Sequence, residues 1–177
     1  MTFYLLQYTS LPMAPPEVWL RGPVAGIAPY LQPVAHALIQ AREDVEALAP
    51  HVPVEVLWTR RNGAASAGFH LLHLAGALDR LFTYARSELL SDEQKTALRA
   101  ESHDHPELDG RALTAMVIAA IDRALAQVAA TDASRLLDER KIGRAGLPST
   151  VLGLLFHAAE HTTRHVGQFV STSKIVR

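Results

Sequence analysis

The sequence predicts an all-α domain built as a four-helix bundle, on three observations. Four stretches carry apolar residues at helical spacing. The breaks between them are rich in proline, glycine and capping residues. No pair of alternating segments carries hairpin-turn chemistry. At 177 residues the chain is one ordinary domain, long enough to enclose a core, and it shows no repeat of fixed period.

The opening stretch, residues 1–33, carries Pro12, Pro15, Pro16, Pro23, Pro29 and Pro33. Proline removes backbone donors and fixes φ, so this stretch reads as an extended, wrapping arm, with Trp19, Leu20, Val24 and Ile27 as anchors. Pro33 suits a first helical turn, so helix one runs over 34–48 until Pro50 and Pro53 stop it. A short segment ends at Trp58, and Arg60-Arg61-Asn62-Gly63 is a turn. Helix two covers 64–88, with Leu71, Leu74, Leu78 and Leu81 on one stripe.

Ser91-Asp92-Glu93-Gln94 has the form of a capping box, which predicts a short helix inside the connection between helices two and three. His103-Asp104-His105-Pro106 ends it. Asp109 caps helix three, 110–130, whose stripe is Leu113, Val117, Ile121, Leu125 and Val128. A loop over 141–148 contains Gly143 and Gly146, and Ser149 caps helix four, 150–172. The connection between helices two and three is long enough for a crossover, so those two helices need not be antiparallel.

Composition narrows the function. The formal net charge is -1, which argues against nucleic acid and against an anionic membrane surface as partners. No cysteine is present, so disulfides, thiolate metal sites and cysteine nucleophiles are excluded, in keeping with a reducing cytoplasm. The first residues, MTFYLLQYTS, lack the positive start and cleavage site of a signal peptide. No apolar run is expected to approach the roughly 18 residues a membrane span needs. Histidine stands out, with nine copies in the chain.

Helix four holds His157, His161 and His165, each four residues after the last. At about 100° per residue, each such step drifts only about 40° around the axis, so the rings form a row beside the core. Neighbouring His at this spacing meet over one turn and can grip one ion. Helix two supplies His73, at the edge of the leucine stripe, with Gly76 and Ala77 leaving room beside it. His73, His161 and His165 would give three nitrogen ligands with open positions for water or substrate. Spacing alone equally allows buried, hydrogen-bonded core histidines. The segment His161-Thr162-Thr163-Arg164-His165 has no glutamate after its first His, so zinc-protease chemistry is absent.

Three phrases, PVAHALIQARED, FHLLHLAGALDRLFTYA and LPSTVLGLLFHAAEHTTRHVGQ, resemble the DinB/YfiT-like family of bacterial metal-binding bundles over about residues 19–168. The resemblance implies helices in up-down-down-up order and a divalent metal, commonly zinc or nickel. It implies one ligand from helix two, at His73, and two from helix four, at His161 and His165. His70, His157 and His36 would line the pocket or orient ligands, while His51, His103 and His105 read as solvated surface.

Relatives implied by the resemblance include bacillithiol S-transferases and mycothiol-dependent maleylpyruvate isomerase. The expected activity is therefore a metal-dependent transferase or isomerase acting on a small molecule with a low-molecular-weight thiol. His157, His70 and Arg164 are the candidate acid, base or anion contacts. Arg80, about two turns beyond His73, reads first as a surface or interface salt bridge and second as a contact for a substrate carboxylate, and Tyr84 reads first as core packing and second as a pocket group. The alternatives are a stress-induced metal-binding protein without turnover and, more weakly, a metal-dependent hydrolase, since no carboxylate base is evident beside the trio. A homodimer is a further expectation from the family.

Overall fold

The computed structural model describes residues 15–176. The helices are α1 (Gln32–Leu48), α2 (Val54–Trp58), α3 (Ala67–Ala85), α4 (Asp92–Ala100), α5 (Gly110–Ala130) and α6 (Val151–Ile175). The long helices α1, α3, α5 and α6 form the bundle, with α3 and α1 each packed against both α5 and α6. Between α5 and α6 lies a two-stranded antiparallel hairpin, β1 (Glu139–Ile142) and β2 (Leu147–Thr150).

The helix starts follow local chemistry. Pro33 lies in the first turn of α1. Ser66 accepts from the Phe69 amide, and Asp109 accepts from that of Ala112. At α4 both halves of the capping box form, between Ser91 and Gln94. Each such bond satisfies an amide that the helix itself leaves without a partner.

The hairpin corrects the expected loop at 141–148. Its strands are short, and Gly143 (φ 65) and Gly146 (φ 61) take the left-handed conformation that lets the chain reverse between them. Pro148 pairs with Lys141 on this two-stranded ribbon, where a missing N–H is tolerated. The cap of α6 is instead Thr150, the last residue of the strand, which accepts from the Gly153 amide, while Ser149 pairs with Arg140 one residue earlier.

Leu31, Leu38, Leu71, Leu74, Leu78, Leu113, Ile121, Leu154, Leu155 and Phe169 are fully buried and join the four long helices in one core. Burial of a side chain of this size stabilises by roughly 1.5–3 kcal/mol. The anchors of the arm differ from those expected. Val18 is buried, whereas Trp19 is 62% and Leu20 57% exposed. A short 3-10 turn over Val18–Leu20 directs Val18 inward, and its amide donates to Gln40 Oε1 at 2.9 Å. Val24 and Ile27 are half-buried as expected, held by Gln32, which bonds the backbone of both. Residues 1–14 of the arm lie outside the described residues.

By length and composition α5 passes as long and apolar enough to cross a membrane, as the core helix of a bundle can, but Asp122 and Arg123 break its apolar run, in line with the expectation. In the bundle its stripe of Leu113, Val117, Ile121, Ala124 and Val128 faces the core, while Asp122 pairs with Arg42 of α1 at 2.9 Å.

Candidate metal centre

The centre forms where α3 crosses α6. His70 meets His165 and His73 meets His161, so the two helices run antiparallel here and present their histidines to one another. The ring centroids of His73, His161 and His165 lie 4.4–5.1 Å apart. One nitrogen from each ring lies within 4.8 Å of the others. Metal–nitrogen bonds of about 2.0–2.1 Å put two ligands on one ion at most about 4.2 Å apart, so a small side-chain rotation closes the trio on an ion. His165 is buried and the other two are half-buried, which leaves one side of the cluster open.

Hydrogen bonds select the free nitrogens. His73 Nδ1 lies 2.7 Å from Glu101 Oε2. His165 Nδ1 lies 3.1 Å from His70 Nδ1. Among the described residues these contacts leave Nε2 as the unengaged nitrogen on both His73 and His165. Phe69 stacks on His73 at 5.3 Å and an interplanar angle of 9°, which fixes the ring plane.

The electrostatics suit neutral, electron-donating rings at His161 and His165. Burial, with the neighbouring His73, pushes His161 down to about 4. Burial, then His161 and His73, pushes His165 down to about 3. His70 is lowered for the same reasons. At neutral pH His161 and His165 therefore carry lone pairs rather than charge. Burial alone would raise Glu101, but hydrogen bonds from His73 and Arg80 and the Arg80 charge outweigh it and hold the carboxyl below its usual range.

The remaining expected residues divide clearly. His70 is buried against His165, a place for orienting a ring rather than for meeting solvent. His157 is exposed at the rim, 5.5 Å from His161 by ring centroid and 3.5 Å from Glu160. Arg164 is also exposed and pairs with Glu160 at 2.9 Å. His36 bonds the Gly22 carbonyl at 3.0 Å and so ties down the arm. Tyr84 packs against the core about three turns along α3 from His73. His51 and His103 are exposed, as expected. His105 is not simply solvated: it packs edge-on against Trp58 at 5.9 Å and bonds the Ala100 carbonyl.

Two features escaped the sequence reading. A carboxylate does stand beside the trio: Glu101, the C-cap residue of α4, is buried and receives Arg80 Nη1 at 2.5 Å as well as His73. The room beside His73 is also already taken. A Cβ on Gly76 would lie 2.2 Å from Glu101 Oε1 and 2.7 Å from Arg80 Nη1, so Gly76 admits these side chains rather than a ligand. Arg80 was the available signal, since a buried guanidinium on an apolar helix requires an acidic partner.

The fold resembles that of a conserved protein from Enterococcus faecalis (17% identity, TM-score 0.65), over 82% of this chain and 96% of that one. It also resembles a protein from Streptococcus pneumoniae (11% identity, TM-score 0.58), over 82% of this chain and 88% of that one. No curated protein matches the sequence. The DinB superfamily model matches residues 37–169, a span that holds all three histidines, Glu101 and the four long helices except the ends of α1 and α6. By that match the chain belongs to the DinB superfamily.

Proposed function

We propose that this protein binds a divalent metal ion, zinc or nickel, on His73, His161 and His165. We further propose that it acts as a transferase or isomerase on a small molecule with a low-molecular-weight thiol. The carrying observation is the trio itself: three imidazole nitrogens within 4.8 Å, two of the rings tied back through Nδ1, and one open side. A divalent ion bound there supplies Lewis acidity, which lowers the pKa of a coordinating thiol and favours the thiolate at neutral pH.

The chain's own groups then take distinct roles. His70 holds the His165 ring from behind. In this reading His157 and Arg164, both exposed on α6, meet the carboxylates of a thiol cosubstrate or substrate. The up-down-down-up order is part of the same reading. It is supported by Arg42 meeting Asp122 and Gly110 abutting Ala49 (α1 against α5), and by Gln127 bonding the Phe82 carbonyl (α3 beside α5).

A second reading, metal binding without turnover, is favoured by one observation. A cavity of about 1080 Å³ lies at the far end of α3, between Tyr84, Leu98 and the hairpin, and none of the trio lines it. A hydrolase is the weaker alternative, because both Glu101 oxygens are already engaged by His73 and Arg80.

The test is metal analysis of the purified protein beside a His73→Ala, His161→Ala, His165→Ala variant. A stoichiometric ion is expected in the first and none in the second, and equal content would refute the site. Conjugation of an electrophilic dye with a panel of small thiols then separates the two readings. A rate above that of the variant for any thiol supports the transferase, and none above it supports turnover-free binding. Sedimentation of the same samples decides whether the chain is a homodimer.

A further inference from the structure

From the geometry we infer that Glu101 is a positioning residue: it locks His73 in the Nδ1–H form so that Nε2 is the nitrogen offered to an ion. This rests on the metal-binding reading above. An ionised carboxylate only accepts hydrogen bonds, so the nitrogen 2.7 Å from Glu101 Oε2 must carry the proton. A neutral imidazole with its proton on Nδ1 has its lone pair on Nε2.

The carboxylate is itself held in place. Arg80 donates to Oε1 at 2.5 Å and more weakly to Oε2 at 3.3 Å. Gly76, one turn from both His73 and Arg80 on α3, provides the space that these groups fill. A purely structural Arg80–Glu101 pair would not need the second oxygen aimed at an imidazole edge. Here the pair reaches across from the end of α4 and stops on His73. Carboxylate–histidine contacts of this kind orient metal ligands and raise their basicity, and losing one typically costs 10–100-fold in metal affinity, a range of about that order.

Glu101→Gln separates this role from simple packing. Arg80 would claim the amide oxygen, turning the NH2 toward His73 Nδ1 and driving its proton to Nε2. The experiment uses the full-length protein stripped of metal, with two readouts. The first is long-range 15N–1H NMR of the His73 ring at mildly alkaline pH. The second is Zn2+ affinity by competition with a chromophoric chelator.

The wild type is expected to show the Nδ1–H form. Glu101→Gln is expected to show Nε2–H and to bind zinc about 10–100-fold more weakly. Glu101→Asp keeps the charge but shortens the reach, and is expected to lose affinity as well. The inference is overturned by an Nε2–H form in the wild type, a measurement that needs no variant to fold. It is also overturned by weakened binding in Glu101→Gln with an unchanged tautomer, or by full affinity in Glu101→Asp. If wild type and the triple histidine variant bind zinc alike, the metal reading fails, and the tautomer readout still decides the role of Glu101.

Discussion

Replacing Gly76 by alanine sets two effects of opposite sign against each other. In an ordinary helix interior the change stabilises by about 1 kcal/mol, because alanine is the better helix former. At this position the new Cβ would stand 2.2 Å from Glu101 Oε1 and 2.7 Å from Arg80 Nη1, well inside contact distance. Those are side-chain ends and can move, but moving them breaks a pair whose side chains are 6% and 10% exposed. Leaving a buried charge without its partner costs roughly 3–5 kcal/mol. The net expectation is a loss of about 2–4 kcal/mol, or a Tm lower by about 4–16 °C in a chain of this size. Gly167→Ala is the control, since a Cβ there meets nothing within 4 Å among the described residues, and it should gain up to about 1 kcal/mol. Urea unfolding of the three proteins reads the sign directly. Stability in Gly76→Ala equal to or above that of the wild type would refute the packing of Glu101 against this helix.

Two further expectations concern stability. At Gly110 a Cβ would fall 1.9 Å from the Ala49 carbonyl oxygen, a backbone atom that cannot rotate away. Gly110→Ala should therefore pry α5 from the turn after α1 and lower the urea midpoint, by at least the roughly 1–3 kcal/mol typical of overpacking. An unchanged midpoint would sink that reasoning. The metal-free protein should also lose stability in mild acid. His161 at about 4 and His165 at about 3 lie below their ordinary 6.5, so the unfolded chain takes up protons first as pH falls. Their contribution is complete above about 6.5 and drains away through 4 and 3. Unfolding midpoints against pH should show this slope, and His165→Ala should flatten it. A midpoint independent of pH down to that range would contradict the buried, neutral placement of these rings.

The long helices were legible because their signals are redundant. The α5 stripe repeats over about four turns between Asp109 and Thr131, and the helix bounds match the expected 110–130 at both ends. The capping box at Ser91 marked α4 in the same way. His73, His161 and His165 could be paired because helical spacing fixes which rings share a face. What escaped depends on contacts without a period. Glu101 sits in a polar stretch at the end of a short helix, and only its approach to α3 distinguishes it from a solvated acid. Four-residue strands containing Pro148 offer too little alternation to announce a hairpin. In the arm, the choice of Val18 over Trp19 was made by a single 3-10 turn.

The antiparallel crossing of α3 and α6 has one more consequence, a topological one. The contact between His70 and His165 joins positions 95 residues apart in the chain. Anything that bridges the two helices at this level closes a loop over more than half of the protein's length. Loop closure of that size restricts the unfolded chain far more than the folded one, so a bridging ligand would act as a reversible staple. Resistance to proteolysis would then track occupancy of the centre, and a chelator would work as a release catch for the whole bundle.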